Sequence, residues 1–364
     1  MTARLADIAA QAGVSEATVS RVLNGKSGVA AGTRQSVLAA LDLLGYERPV
    51  RLRQRSAGLI GLIIPELENP IFPAFAQLIG QALTRRGYTL VLATQTPGGS
   101  TEDELVEMLV ERGVAGIVFT SGLHADSTAD TERYARLRGQ GVPFVLINGF
   151  SPKIDAPFVS PDDRGAVRLA VTHLTALGHR RIGLAVGQRR FVPVQRKIEG
   201  FVAATRDLLG QSEEESRRLV QHSLFSLEGG QAAAGALLAA GCTAVVCASD
   251  MMALGAIRAA RTRGLSVPAD VSVVGFDDSA LIAFTDPPLT TIRQPVAAMS
   301  QTAVDALLEE IGGTPTPHSE FVFMPELVVR GSTAAGPSAR SAPAPAAPAP
   351  SAADPRGDRT PSAY

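Results

Sequence analysis

The chain has 364 residues, of which 45% are hydrophobic, and its formal net charge is −1. This length predicts two or three domains, and the apolar fraction is large enough for a substantial core. The charge is unevenly distributed, because residues 1–56 carry +4 and the remaining residues carry −5. A basic first segment on an acidic body is expected when only one domain of a protein meets phosphate groups.

Several classes of protein and site do not fit this sequence. The chain starts without a charged-then-apolar leader and has no apolar run long enough to span a bilayer, so we expect a cytoplasmic protein. Cys242 and Cys247 are the only cysteines, and five-residue spacing on a strand points their side chains to opposite faces. We therefore expect two reduced core thiols. The five histidines are scattered, so we predict no metal site and no cofactor.

Residues 5–25 predict two short amphipathic helices joined by a turn at Gly13, where a Cβ would crowd the chain. Ser15 is a good N-cap for the second helix. The apolar positions follow helical spacing, with Ile8, Ala9 and Ala12 in the first helix and Val19, Val22 and Leu23 in the second. The polar face of the second helix carries Glu16, Ala17, Thr18, Ser20 and Arg21. Such a face suits the DNA major groove, where hydroxyls and Arg reach base edges and phosphates.

The stretch from Ala6 to Gly25 resembles the opening of the LacI/GalR family of bacterial transcription regulators, which has the form ADIAxxAGVSxxTVSRVLNG. Within that family the chain most resembles the maltose-utilisation repressors of high-GC bacteria. The resemblance implies that DNA is bound by Ser15, Glu16, Ala17, Thr18, Ser20, Arg21 and Asn24. The alternative is a buried three-helix bundle without a DNA role, but such a bundle has no reason to display Thr18, Ser20 and Arg21 together.

A third helix is predicted over residues 33–44, with Val37, Leu38, Leu41 and Leu44 facing inward and no side-chain cap at Ala30. We expect a helix-turn-helix domain over residues 1–46 and a hinge over residues 47–57. In the family the hinge folds on DNA and inserts a leucine into the minor groove. The resemblance thus implies that Leu52 is the wedge and that Arg51, Arg53 and Arg55 contact phosphates. The alternative is an exposed basic linker.

From Gly58 onward, short apolar runs alternate with amphipathic helices. Buried parallel strands are predicted over residues 59–64, 90–93, 116–120, 144–147, 181–186, 244–247 and 271–276, and helices over 73–86, 102–111 and 129–138. The pattern indicates two successive Rossmann-like α/β lobes with parallel sheets over residues 58–332, which bind a ligand in the cleft outside the carboxyl ends of the strands. It resembles the periplasmic sugar-binding-protein fold of the family's effector domain. Residues 333–364 are rich in Ala and Pro, and we expect a disordered tail.

Polar side chains after the predicted strands are the candidate effector ligands. In the first lobe they are joined by one aromatic residue, giving Asn69, Phe72, Gln95, Ser121 and Asn148; the second lobe contributes Arg196, Lys197, Ser249, Asp277 and Gln294. Lys197 stands where the family has a ligand-binding Arg, and an ammonium is not equivalent to a planar guanidinium. Amides and hydroxyls with few charges suit a neutral polyol or sugar.

These observations predict a dimeric transcriptional repressor that binds a near-palindromic DNA operator and responds to a small sugar effector. One alternative is a sugar-processing enzyme on the same α/β scaffold. We predict no enzyme and no catalytic residues, because the sequence shows no Ser-His-Asp order, metal cluster or paired carboxylates at strand ends. Another alternative is a sugar-binding protein that serves a transporter, which would need an export signal and would not need the basic first domain.

Overall fold

A computed structural model describes residues 5–24, 26, 28–44, 57–95, 98–314 and 316–336. Of the predicted hinge only Ala57 is described, and of the predicted tail only residues 333–336. The hinge residues Arg51, Leu52, Arg53 and Arg55 therefore lie outside the described residues, and their predicted role stays a prediction.

The first described segment is a bundle of three helices, α1 (Leu5–Ala12), α2 (Glu16–Leu23) and α3 (Ala31–Leu43). Gly13 has φ +66° in the turn between α1 and α2, a backbone conformation that favours glycine. The side chain of Ser15 accepts a hydrogen bond from the Thr18 backbone N–H at 3.3 Å, which confirms the predicted N-cap. The helices bury the apolar stripe formed by Ile8, Ala9, Val19, Val22, Val37, Ala40 and Leu41.

Helix α3 differs from its prediction at both ends. It begins two residues earlier than predicted, and Ala30 provides no side-chain cap, as expected. Leu44 is exposed, whereas Ala40 is buried. The reason is that Leu44 is the C-cap, past the last helical residue, so the inward stripe of the helix ends at Leu41.

The first compact unit consists of the described residues up to Pro161 and of two later segments, Arg190–Pro193 and Pro295–Phe323. Its six-stranded sheet has the order β11-β5-β4-β3-β1-β2, and all neighbouring strands are parallel. The strands are β1 (Leu59–Ile64), β2 (Thr89–Thr94), β3 (Gly116–Thr120), β4 (Phe144–Ile147), β5 (Phe158–Pro161) and β11 (Glu320–Phe323).

Helices cover both faces of this sheet, as the near-continuous apolar strands predict. They are α4 (Ile71–Arg85), α5 (Glu102–Glu111), α6 (Glu132–Gly139) and α12 (Val296–Ile311). Alternating side chains of β1 enter two cores: Ile60 and Leu62 pack with α4 and α12 on one face, and Ile63 packs with α5 and α6 on the other. The rigid sheet therefore fixes where the loops after its strands begin.

The second compact unit contains Asp162–Arg189, Val194–Gln294 and the described residues from Met324 to Gly336. Its strands are β6 (Ile182–Val186), β7 (Val220–His222), β8 (Ala244–Cys247), β9 (Ser272–Asp277), β10 (Thr290–Arg293) and β12 (Glu326–Val328). They form a sheet in the order β12-β10-β9-β8-β6-β7, which is parallel except for the antiparallel edge strand β12. The helices are α7 (Asp163–Ala176), α8 (Val192–Leu209), α9 (Glu213–Arg218), α10 (Leu227–Ala239) and α11 (Asp250–Thr262).

The predicted α/β architecture is confirmed, with two differences. The strand prediction did not include β5, β7, β10, β11 and β12, which have only three or four residues each. The two units are also not simply successive, because α12 and β11 return to the first unit after β10 of the second. Within the described part of the chain, no helix combines the length and the apolar character needed to cross a bilayer.

Candidate DNA-binding and effector sites

Helix α2 presents three of the predicted DNA-binding residues to solvent. Glu16, Ala17 and Arg21 are exposed, and neither Glu16 nor Arg21 has a side-chain hydrogen bond or ion pair with another described residue. An exposed guanidinium of this kind can contact a base edge or a phosphate.

Four other predicted DNA-binding residues stabilise the ends of α2. The hydroxyls of Ser15 and Thr18 lie 2.9 Å apart, and the Asn24 side-chain amide donates to the Ser20 carbonyl oxygen at 2.9 Å. These bonds stabilise the two ends of the helix from which Arg21 projects.

In the first unit, Gln95, Ser121 and Asn148 follow β2, β3 and β4. Because these strands are parallel, their carboxyl ends meet at one edge of the sheet, where α/β proteins bind ligands. Ser121 has φ +49° and Asn148 has φ +65°, and such strain in residues other than glycine concentrates at functional sites. The Asn148 amide donates to the Ser121 hydroxyl at 3.0 Å, whereas Asn148 Oδ1 is buried and has no hydrogen-bond partner among the described residues.

The other two first-lobe candidates already have structural tasks. Asn69 is buried, and its Oδ1 accepts from the Ile71 backbone N–H at 3.3 Å at the start of α4. Phe72 is packed in the core between α4 and the sheet. Ligand contact by either residue stays a prediction.

A buried acid that the sequence analysis did not single out lies beside Gln95. Glu102, in the first turn of α5, is 1% exposed. Its Oε2 accepts from Gln95 Nε2 at 3.0 Å and from the Leu123 backbone N–H at 2.8 Å, and its Oε1 accepts from the Tyr134 hydroxyl at 2.7 Å. In sequence Glu102 is one of three acids in a helix N-terminal turn, a pattern that usually indicates exposed residues.

In the second unit, Ser249, Asp277 and Gln294 lie at the carboxyl ends of β8, β9 and β10. Ser249 accepts from the Met252 backbone N–H at 3.2 Å and caps α11. Gln294 is 7% exposed and donates through Nε2 to Asp277 Oδ1 at 2.7 Å, whereas Gln294 Oε1 is buried and accepts no hydrogen bond from the part of the chain that the structure describes. Asp277 has φ +118°, so this edge also carries backbone strain.

Lys197 is held within the second unit by two partners. It is 6% exposed, its ammonium pairs with the Asp163 carboxylate, and its Nζ lies 4.0 Å from the centroid of the Phe276 ring. Burial raises the pKa of Asp163, and the neighbouring Lys197 opposes that rise. Arg196 beside it is half-buried. Lys197, which stands where the family has an Arg, is thus paired with the buried carboxylate of Asp163.

A second buried acid holds the loop after β9. Asp250 Oδ2 accepts from the Ser279 backbone N–H at 2.7 Å, and Oδ1 accepts from the Thr291 hydroxyl at 2.6 Å. Burial raises the pKa of Asp250 to about 6, although these hydrogen bonds act in the opposite direction. Asp250 therefore fixes the segment that carries Asp277.

Phe225 is an aromatic residue at this edge that the sequence analysis missed. It follows β7 and is half-buried. A Cβ on Gly187 would lie 2.0 Å from its ring, so Gly187 is required for the ring's position. The signal in the sequence was an aromatic residue three positions after a short strand, but the strand itself was not predicted.

Both the first helical segment and the α/β part of the chain match known protein families. Residues 4–48 match the profile described as "Bacterial regulatory proteins, lacI family", and residues 171–333 match a "Periplasmic binding protein-like domain". The HTH-type transcriptional regulator MalR of Streptomyces coelicolor is 79% identical over 341 residues, covering 93% of this chain and 99% of that protein.

Two solved structures are similar to this chain over most of its length. The complex of the transcriptional regulator CelR with cellobiose has a TM-score of 0.68 and 32% identity, covering 91% of this chain and all of that one. The lac repressor dimer bound to operator and the anti-inducer ONPF has a TM-score of 0.63 and 29% identity, covering 92% and 100% of the two chains. The exposed reading face of α2, the two α/β units and these relationships lead to one conclusion: the chain belongs to the LacI family and is a DNA-binding transcriptional regulator.

Proposed function

We propose that this regulator represses carbohydrate-utilisation genes as a homodimer, and that a small sugar alters its affinity for the operator. The observation that carries the sugar assignment is a pair of buried carbonyl oxygens, Asn148 Oδ1 and Gln294 Oε1, each at the carboxyl edge of a sheet. Neither oxygen has a hydrogen-bond partner among the described residues. Buried acceptors are costly unless a donor pairs with them, and sugar hydroxyls are donors of the required kind.

The DNA contacts follow from the exposed face of α2. Each subunit reads one half-site in the major groove through Glu16, Ala17 and Arg21, so a two-fold symmetric dimer reads a near-palindromic operator. Leu52 enters the minor groove at the operator centre, and Arg51, Arg53 and Arg55 contact phosphates. Because these contacts are made to chromosomal DNA, we propose that the protein acts in the cytoplasm.

Each unit offers its own sugar contacts at the carboxyl edge of its sheet. In the first unit Gln95, Ser121 and Asn148 bind hydroxyls, and in the second unit Asp277 and Gln294 do so. Phe225 stacks on the apolar face of a sugar ring. The related complex of CelR with cellobiose supports a neutral glucoside as the ligand class.

The regulatory effect requires only that the sugar binds the two conformations of the dimer with different affinities. Asn148 and Asp277 have strained backbones at the two sheet edges. Their contacts with the sugar are therefore expected to differ between the two conformations. We assign no catalytic step to these residues, because Gln95, Asn148 and Gln294 are amides that bind rather than transfer protons.

The test is a gel shift of the full-length protein on DNA upstream of carbohydrate genes, with and without maltose, cellobiose and ribose. We expect one specific complex whose affinity changes at least fivefold with one sugar, and no change with L-glucose as the control. If none of these sugars changes the affinity for the DNA, the proposal that a sugar regulates this protein is wrong. Consumption of a sugar during the incubation would instead favour the enzyme alternative.

A further inference from the structure

Glu102 lies buried beside the predicted effector residue Gln95, and we infer that it is a positioning residue that decides which end of the Gln95 amide is available to the ligand. The inference rests on the proposed sugar binding. It assigns a role to a side chain that has no contact with solvent and no place in the DNA-binding surface.

The polarity of Gln95 follows from the chemistry of its neighbour. Oε2 of Glu102 lies 3.0 Å from the Gln95 side-chain nitrogen and also accepts from the Leu123 backbone N–H. A carboxylate oxygen only accepts, so the amide end that faces it must be the NH₂ group. The Gln95 carbonyl oxygen is thereby left for a donor from the ligand.

Glu102 is itself held in place on every side by donors. Its Oε1 accepts from the Tyr134 hydroxyl at 2.7 Å, and Arg133 Nη1 lies 3.7 Å from the same oxygen. Burial raises the pKa of Tyr134 well above its usual range, with the Glu102 carboxylate adding to the rise, so the hydroxyl keeps its proton and donates. A Cβ on Gly122 would lie 2.5 Å from Oε2, so the loop after β3 packs directly on the carboxylate.

The second unit repeats the same device independently. The Asp277 carboxylate accepts from Gln294 Nε2 at 2.7 Å, and Gln294 Oε1 remains buried with no donor from any described residue. In both units a carboxylate takes the NH₂ group of an amide and leaves the carbonyl. Gln95 and Gln294 therefore present acceptors, which select a polyol with free hydroxyls and reject a ligand that offers an ether, O-methyl or phosphate oxygen at these two points.

The test measures binding of maltose and cellobiose to the full-length protein by calorimetry and follows whichever sugar binds more tightly. Glu102→Met removes the acceptor and should weaken binding about tenfold. Gln95→Met should do the same, and the double variant should be no weaker than either single one, because both changes remove the same ligand contact. Glu107→Met is the matched control: it makes the same substitution at an exposed acid of α5 and should change affinity less than twofold.

If Glu102→Met does not fold, Gln95→Glu carries the test. It sets two carboxylates at hydrogen-bond distance, so the sugar affinity should fall at pH 7 and recover at pH 5, where the pair can share a proton. Normal affinity of Glu102→Met, additive losses in the double variant, or no recovery at pH 5 would each overturn the inference while the proposed function stands. If the wild-type chain binds neither sugar but still binds DNA, the proposed function fails and the inference fails with it.

Discussion

The side-chain amide of Gln294 donates to the Asp277 carboxylate at 2.7 Å, which ties the ends of the adjacent strands β9 and β10 together. Asp277 is thus both a predicted sugar ligand and the support of a second one. Asp277→Ala should raise the Kd for the effector about tenfold or more, because hydrogen bonds to a charged group contribute about 1.5–3 kcal/mol. The variant should still bind the operator but no longer respond to sugar in a gel shift. Asp270→Ala, at an exposed acid of the same unit, is the control; normal calorimetric affinity in Asp277→Ala would contradict the assignment.

The buried pair of Lys197 and Asp163 predicts a stability effect. Lys197→Met removes the cation and leaves the buried Asp163 carboxylate without its charge partner, which should lower the free energy of unfolding by about 3–5 kcal/mol. The double variant Lys197→Met/Asp163→Asn should recover a large part of that loss, because the uncompensated charge is gone. Urea unfolding measures both. Equal stability of the single and double variants would show that the pair does not matter energetically.

The raised pKa of Asp250 predicts a pH dependence of stability. Its usual pKa of 3.8 rises to about 6 in the folded protein, so the folded state holds this proton more tightly than the unfolded state. The contribution of Asp250 to the free energy of unfolding therefore falls as the pH rises from 4 to 6. Asp250→Asn does not titrate, so its unfolding free energy relative to wild type should increase by about 2 kcal/mol between pH 4.5 and pH 7.

Chemical unfolding at a series of pH values checks this prediction for Asp250. A constant difference between Asp250→Asn and wild type over this series would mean that Asp250 does not titrate in this range.

The exposed guanidinium of Arg21 predicts a specific loss in operator binding. Arg21→Ala should weaken specific binding by about 1–3 kcal/mol. Fluorescence anisotropy on operator and random DNA over a salt titration separates a base contact from a phosphate contact. Arg136→Ala, an exposed arginine outside the helix-turn-helix, should have no effect. Unchanged binding by Arg21→Ala at all salt concentrations would remove this residue from the interface.

Two exposed apolar side chains predict where the proposed dimer forms. Leu281 is 75% exposed and Phe284 is 85% exposed, next to and within a short 3₁₀ turn of the second unit. Large apolar groups at the surface mark association sites. Phe284→Asp should raise the dimer dissociation constant more than tenfold, about 1.4 kcal/mol, measured by analytical ultracentrifugation. Arg180→Asp, at an exposed polar residue of that unit, is the control, and an unchanged dimer in Phe284→Asp would place the interface elsewhere.

The features that sequence alone could predict depend on neighbours close along the chain. The turn at Gly13, the Ser15 cap and the inward stripe of α2 need only a few adjacent residues, so their pattern is visible directly. The long apolar strands such as β1 and the polar residues that follow them are equally local. The placement of Gln95, Ser121 and Asn148 at one edge then follows from parallel strands.

The tertiary structure alone decided which acids are buried and what they hold. Glu102 meets the Tyr134 hydroxyl 32 residues away, and Asp250 meets the Thr291 hydroxyl 41 residues away. In sequence both acids look like ordinary residues at a helix N-terminus, because burial is set by distant segments. The same holds for the return of α12 and β11 to the first unit, and for Lys197, whose carboxylate partner Asp163 lies in a different helix. The cost of burying a charge is offset only by partners that folding brings together, so no local pattern could reveal it.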